Sequence, residues 1–222
     1  MPVAFFDLDH TLLDGDTNKL WIEYLVENSH VPDTTLERQA RFMEDYAQQQ
    51  LDIDNYLAFH LSILALRPVT DWMPIRNVFI DKVIMPRIGQ AARSMITEHR
   101  LQGHKMAIVT ATHSFLSEPV GDQLGLEVIA PVVEIVNGQF TGNIIGPPAF
   151  REQKIIRVEA WLGARLNTDA SVPCHFYSDS ANDIPLLQKV SHPVTVNPDP
   201  VLASLAKTNG WPVLVWSAPP AH

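Results

Sequence analysis

Residues 3–13 read Val-Ala-Phe-Phe-Asp-Leu-Asp-His-Thr-Leu-Leu, and no other segment of the chain constrains the fold as strongly. Four apolar residues, Val3 to Phe6, run directly into Asp7-Leu8-Asp9-His10-Thr11. A short apolar run bounded by polar residues is the pattern of a fully buried strand. Strands buried on both faces belong to parallel α/β sheets, whose chemistry sits at the carboxyl ends of strands. Asp7 and Asp9 fall at that end, two residues apart, so strand periodicity aims both side chains the same way. Two carboxylates forced together repel unless a cation or a shared proton intervenes. The pair suits a Mg²⁺ site, or a nucleophile next to a general acid. Taken alone, it also suits an acidic loop capping the next helix.

After this strand the α/β alternation stops. Helical spacing of apolar residues predicts helices over 17–28, 34–50, 52–67 and 70–84, with Thr17 and Asp52 or Asp54 as caps and Pro68 and Pro86 as stops. We read this block, residues 15–84, as a helical cap inserted into a core domain made of residues 1–14 and 85–222. The α/β rhythm then resumes. A helix is expected over 87–102, ending at Gly103, then a buried strand over 105–110 and a helix over 114–124. A short strand within 127–135 and a hairpin around 138–142 follow, then a helix over 150–163 and a third core strand over 172–177. The remainder predicts a helix over 181–190, a strand over 193–196, a helix over 199–209, a strand over 212–216 and a patternless tail from Ser217. The fold class expected is α/β: a Rossmann-like, doubly wound, mostly parallel sheet with the helical cap inserted after its first strand.

Composition narrows the partners. A 222-residue chain with 46% hydrophobic residues can bury a substantial core. The formal net charge of −9, without a Lys/Arg cluster, argues against a nucleic-acid backbone as partner. No apolar run reaches the length of about 18 residues that a membrane span needs. The single cysteine, Cys174, excludes an internal disulfide and fits a reducing compartment. A cytoplasmic location is the expectation. No interface stripe is legible among five Trp and nine Phe, so the oligomeric state is not read.

Three further segments carry chemistry. The second core strand ends in Val109-Thr110-Ala111-Thr112-His113. A hydroxyl at a strand end, followed by small residues and a helix N-terminus, suits a phosphate oxygen, although a strand followed by Thr also commonly just caps a helix. Lys154 lies at a predicted helix start, where a cation opposes the helix dipole; holding an anion would explain that cost. Arg151 and Arg157 compete with it for that role, and a solvated Lys is the plain reading. The third core strand runs into Tyr177-Ser178-Asp179-Ser180-Ala181-Asn182-Asp183, which by itself would read as a helix cap.

Taken in order, Asp7-x-Asp9-x-Thr11, Thr110, Lys154 and Asp179-x-x-Asn182-Asp183 resemble the four motifs of the haloacid dehalogenase superfamily, in its phosphoserine-phosphatase-like branch. The motifs span residues 7–183. Two spellings depart from that branch: Thr-Ala-Thr stands where it has Ser-Gly-Gly, and Ser178 and Ser180 replace two glycines.

The resemblance implies a Mg²⁺-dependent phosphomonoester hydrolase. Asp7 would attack phosphorus and form an aspartyl-phosphate, and Asp9 would protonate the leaving alcohol and then activate water. Mg²⁺ would be held by Asp7, the Asp9 backbone carbonyl and Asp179. Thr110 and Lys154 would hold phosphoryl oxygens beside the Ala111 loop, with Thr11, Asn182 and Asp183 in support. The cap would close over the site.

The same resemblance frames the substrate, a small phosphorylated metabolite. The branch carries a Glu nine residues after the nucleophile that meets a substrate amino group; here Asp16 stands there, either an amine partner or simply the cap of the first helix. A cap Arg that clamps the substrate carboxylate has His60 at the aligned position, with Arg67 nearby. An imidazole cannot replace a bidentate Arg–carboxylate fork. The expected substrate is an amine-bearing phosphate monoester without a carboxylate, first L-histidinol phosphate, then phosphoserine, then a broad range of esters. A phosphotransferase acting on a second alcohol is a further alternative. A binding module that keeps only the fold is the non-enzymatic one, and the intact acidic set argues against it.

Overall fold

The structure, a computed structural model, describes residues 1–163, 166 and 173–216. The strand start expected at Val172 and the tail from Ser217 lie outside the described residues. Among the described residues six strands form one parallel sheet: β1 (Val3–Phe6), β2 (Lys105–Val109), β3 (Glu127–Ile129), β6 (Cys174–Ser178), β7 (His192–Val196) and β8 (Val213–Leu214). Their spatial order is β3-β2-β1-β6-β7-β8, with β1 in the centre. All four residues of β1 are buried, as a strand covered on both faces requires. Alternation divides them between two cores. Ala4 and Phe6 join one side with Ile108, Tyr177 and Val196, while Val3 and Phe5 join the other with Val109, Phe176 and Leu186.

The first core is covered by α5 (Gln90–Leu101) and α6 (Ser114–Leu124), the second by α7 (Glu152–Leu162), the short α8 (Ile184–Leu187) and α9 (Pro200–Asn209). Register then places the loops. Phe6 lies level with Ile108 and with Tyr177, so the segments after β1, β2 and β6 emerge side by side at one edge of the sheet.

Between β1 and α5 the chain forms α1 (Thr17–Glu27), α2 (Thr34–Ala47), α3 (Ile53–Leu64) and α4 (Val69–Phe79). Trp21, Trp72 and Phe79 are buried among these helices, with Trp21 and Phe79 ring centroids 4.9 Å apart. The helix expected over 70–84 changes character near its end: α4 gives way to a π turn at Ile80–Ile84 and a 3-10 turn at Met85–Arg87. Pro86 and the extended Ile88 delay the next helix to Gln90. Within 127–135, where one short strand was expected, two strands flank Pro131: β3 in the main sheet and β4 (Val132–Val136) in a separate hairpin with β5 (Gln139–Ile145). Asn137 and Gly138 both take positive φ at its turn, the pairing that a tight two-residue hairpin demands. This hairpin packs on α3, and the amide of Val69 bonds the Gly138 carbonyl at 3.0 Å. The helix expected over 181–190 is shorter, because residues 181–183 form a 3-10 turn before Pro185.

Candidate active site

The loops at the sheet edge bring together residues far apart in the chain. Lys154, from the first turn of α7, is 3% exposed and lies between two acids. Its ammonium donates to Asp7 Oδ1 at 2.9 Å and to Asp183 Oδ2 at 2.8 Å. Ser178 donates to the same Asp183 oxygen at 2.7 Å, so one of the serines that replace glycine orients an acid. Arg151 instead donates to Asn182 Oδ1 and to the Gln49 carbonyl, and Arg157 bonds the carbonyls of Pro147 and Ala130. Of the three cations at this helix start, Lys154 is the one that meets the acids.

Asp179 follows β6 and accepts from the Thr11 hydroxyl at 2.8 Å. Asp9 is held at both oxygens: Oδ1 accepts from the Thr17 amide at 2.6 Å and from the Thr17 hydroxyl, and Oδ2 accepts from the Thr112 hydroxyl at 2.7 Å. The Thr110 hydroxyl accepts from the Thr112 amide at 3.0 Å, which leaves its own proton free to donate. Asp7, Asp9, Thr110, Thr112, Lys154 and Asp183 line a cavity of about 50 Å³ together with Asp16, Ala111, Asn18, Met43, Tyr46, Tyr56 and Ser180, while Thr11 and Asp179 line a separate pocket. A water needs about 10–15 Å³ of such space, so the cavity as it stands admits a few waters and no metabolite.

Charge is unbalanced here. Burial pushes the Asp7 carboxyl well above the usual range; Lys154 pulls it back, and Asp183 and Asp179 push it further up. Burial carries Asp179 to about 7 against the opposing Thr11 hydrogen bond. Burial also works against the Lys154 charge, but Asp183 and Asp7 outweigh it and hold the amine above the ordinary lysine range. One cation thus faces three carboxylates, Asp7, Asp179 and Asp183. An all-oxygen donor set with excess negative charge is what a hard divalent cation such as Mg²⁺ takes, so the residues present fit one.

Asp16 serves two purposes. It caps α1 by accepting from the Lys19 amide at 2.7 Å, and it also lines the cavity. Burial and then the charge of Asp9 raise its carboxyl to about 7. His60 does not reach the cavity wall, contrary to the expectation that it contacts substrate. It is 2% exposed and packs edge-on against Tyr56, 4.6 Å between ring centroids. Tyr56 precedes it by one turn of α3 and occupies the wall itself. Arg67 lies elsewhere, stacked over Trp72 and beside His30. Sequence reasoning missed Thr17, Asn18, Tyr46 and Tyr56. Their only local signal is position on α1, α2 and α3, and what they face depends on how those helices dock.

Comparison with known proteins fits this geometry. Residues 4–188 match the haloacid dehalogenase-like hydrolase family. A histidinol-phosphatase of Neisseria meningitidis is 38% identical over 96% of this chain and 97% of its own. A phosphoserine phosphatase of Mycobacterium tuberculosis is 29% identical over 95% of this chain and 69% of its own. Among solved structures, a Bordetella pertussis protein of unknown function superposes with a TM-score of 0.88 at 34% identity, covering 96% of this chain and 97% of that one. A substrate-bound phosphoserine phosphatase shares the fold, with a TM-score of 0.66 at 18% identity over 96% of this chain and 92% of that one. The chain belongs to the haloacid dehalogenase-like hydrolase family.

Proposed function

We propose that this phosphatase of the haloacid dehalogenase-like family hydrolyses a small phosphate monoester whose alcohol carries an amine and no carboxylate, and that L-histidinol phosphate is that substrate. The makeup of the cavity wall carries the substrate class. Asp16 supplies an acid for an ammonium, while among the described residues lining the cavity Lys154 is the only Lys or Arg, and it is engaged by Asp7 and Asp183. A substrate carboxylate would lie there without a cationic partner, which is costly in a closed site. The 38% identity to a histidinol-phosphatase supports the same reading.

In this mechanism Asp7 Oδ attacks phosphorus, the bond to the leaving oxygen breaks, and the phosphoryl group passes to Asp7. Asp9, oriented by Thr17 and Thr112, gives its proton to the leaving alkoxide and later takes one from the water that attacks the aspartyl-phosphate. Lys154 and the free O–H of Thr110 hold the equatorial oxygens. Mg²⁺ would be held by Asp7, Asp179 and the Asp9 carbonyl, and would supply positive charge against the phosphoryl oxygens. Thr11 fixes the carboxylate of Asp179, and Asp183 fixes Lys154. Since the cavity is too small for a metabolite, we place substrate admission in an outward movement of the cap, residues 15–84, with the Tyr46–Ser180 and Arg151–Gln49 hydrogen bonds released as it opens. The buried Cys174 thiol is in keeping with a reducing, cytoplasmic setting.

The test is Mg²⁺-dependent phosphate release from histidinol phosphate, phosphoserine and an aryl phosphate side by side. Preference for histidinol phosphate is expected; preference for phosphoserine overturns the substrate assignment. Asp7→Asn should abolish turnover with the thermal transition retained, and near-normal activity would remove Asp7 from the nucleophile's role.

A further inference from the structure

We propose that His99, His104 and His175 form a second metal site, for a borderline divalent ion such as Zn²⁺, at the end of the sheet opposite the phosphate site. His99 lies on the last turn of α5, His104 immediately precedes β2, and His175 is the second residue of β6. One ring nitrogen from each comes within 4.8 Å of the others. All three sit over the face of the sheet that carries Ala4, whose small side chain on the central strand leaves room for rings from both neighbours. His175 is level with Ala4, so the cluster is three residues short of Asp7, about 10 Å along the strand. It shares no residue with the acidic site.

The contacts are those of a ligand set rather than of ordinary core packing. His99 Nδ1 and His104 Nδ1 approach to 2.7 Å, so one ring must present a proton and the other a lone pair. The second nitrogen of His99 bonds the Tyr177 hydroxyl at 2.8 Å, an outer contact that orients the ring as partners of metal-ligating imidazoles do. His192 stacks on His175 with centroids 4.5 Å apart, and both border an open cleft of about 810 Å³. That cleft gives an ion a path from solvent.

A metal takes the lone pair of a neutral imidazole nitrogen, and three such nitrogens converge here. Among the described residues no carboxylate belongs to the cluster, and a purely imidazole set favours Zn²⁺, Ni²⁺ or Cu²⁺ over Mg²⁺. Tetrahedral donors around Zn²⁺ lie about 3.4 Å apart, given Zn–N bonds of about 2.0–2.1 Å. The His99–His104 pair therefore opens slightly, and His175, half-buried beside the cleft, turns inward. The proton shared by the two Nδ1 atoms moves to the other nitrogen of the ring that held it, so each imidazole stays neutral. A bound ion would tie α5, the start of β2 and β6 into one clamp and leave a fourth position open to the cleft.

The experiment uses the full chain, stripped with EDTA and returned to millimolar Mg²⁺ so that the acidic site is served. Zn²⁺ uptake is followed by calorimetry, and Co²⁺ replaces it as a spectroscopic probe. The expected result is one tight Zn²⁺ per chain, a rise in melting temperature, and the visible absorption of tetrahedral Co²⁺ bound to nitrogen. His104→Gln, at a half-buried position, should lose the uptake while keeping Mg²⁺-dependent hydrolysis, and Tyr177→Phe should weaken it about tenfold. Asp179→Asn should retain it. Absence of stoichiometric uptake, uptake that survives His104→Gln combined with His175→Gln, or uptake lost in Asp179→Asn would each overturn the proposal.

Discussion

Asp16 shows how one side chain can hold a structural and a chemical task at once. One oxygen caps α1, and the carboxyl faces the cavity with its pKa raised to about 7 by burial and by Asp9. A bound ammonium would relieve that strain. Asp16→Asn keeps the cap, because Asn is as good an N-cap as Asp, but removes the charge. A hydrogen bond to a charged group is worth about 1.5–3 kcal/mol, so KM for an amine-bearing substrate should rise about tenfold or more. KM for an aryl phosphate without an amine should stay near its original value; an equal rise for both would show that Asp16 acts only on structure. Lys154 makes the opposite case. Lys154→Met leaves Asp7 and Asp183 buried without their cation, a loss of about 3–5 kcal/mol when one partner of a buried pair is removed. Chemical denaturation of the two proteins checks it, and an unchanged midpoint would mean that the ion pair contributes no net stability.

At the scale of elements, the expected strands and helices recur with displaced ends, and some displacements have a local cause. Where one short strand was expected, two flank Pro131 and join different sheets, and Pro86 with Gly89 delays α5. These residues were visible in the sequence, but the sheet that each strand would join was not, because partner choice is a long-range matter. One contact between elements makes a sharp prediction. A Cβ built on Gly121 in α6 would overlap Val128 and come within 2.8 Å of the Leu126 carbonyl, so α6 rests directly on the strand that follows it. Gly121→Ala should favour the helix by up to about 1 kcal/mol. Overpacking against backbone costs about 1–3 kcal/mol, so the net change should be destabilising. A raised melting temperature would show that β3 yields instead.

For the molecule as a whole, the decisive charge imbalance is local: at the site one lysine faces three carboxylates. That imbalance couples proton binding to stability. The folded pKa of Asp179, about 7, lies above its unfolded value of about 3.9. The folded state therefore binds that proton more tightly, and the stability it contributes is full below about pH 4 and lost as pH rises through about 7. Mg²⁺, held as proposed, would compete with the proton for the same oxygens. Adding Mg²⁺ should raise the melting temperature more at pH 8 than at pH 5.5; equal shifts at both would remove Asp179 from the metal-binding set.

The sequence by itself determined the central strand and the acids that leave it, because a run of four apolar residues and the Asp7-x-Asp9 spacing are local facts. It also ordered Thr110, Lys154 and Asp179 as segments that follow or precede core elements, which in a parallel sheet brings them to one edge. The tertiary structure decided what those residues touch. Thr17 and Thr112 meet on Asp9 across 95 residues of chain, Ser178 reaches Asp183, and Tyr56 takes the place on the wall where His60 was expected. The gathering of His99, His104 and His175 likewise depends on the pairing of β2 and β6 with β1. Periodicity reports which face of an element is apolar, whereas the partner of a polar side chain is set by how elements dock, and that is not written in any one segment.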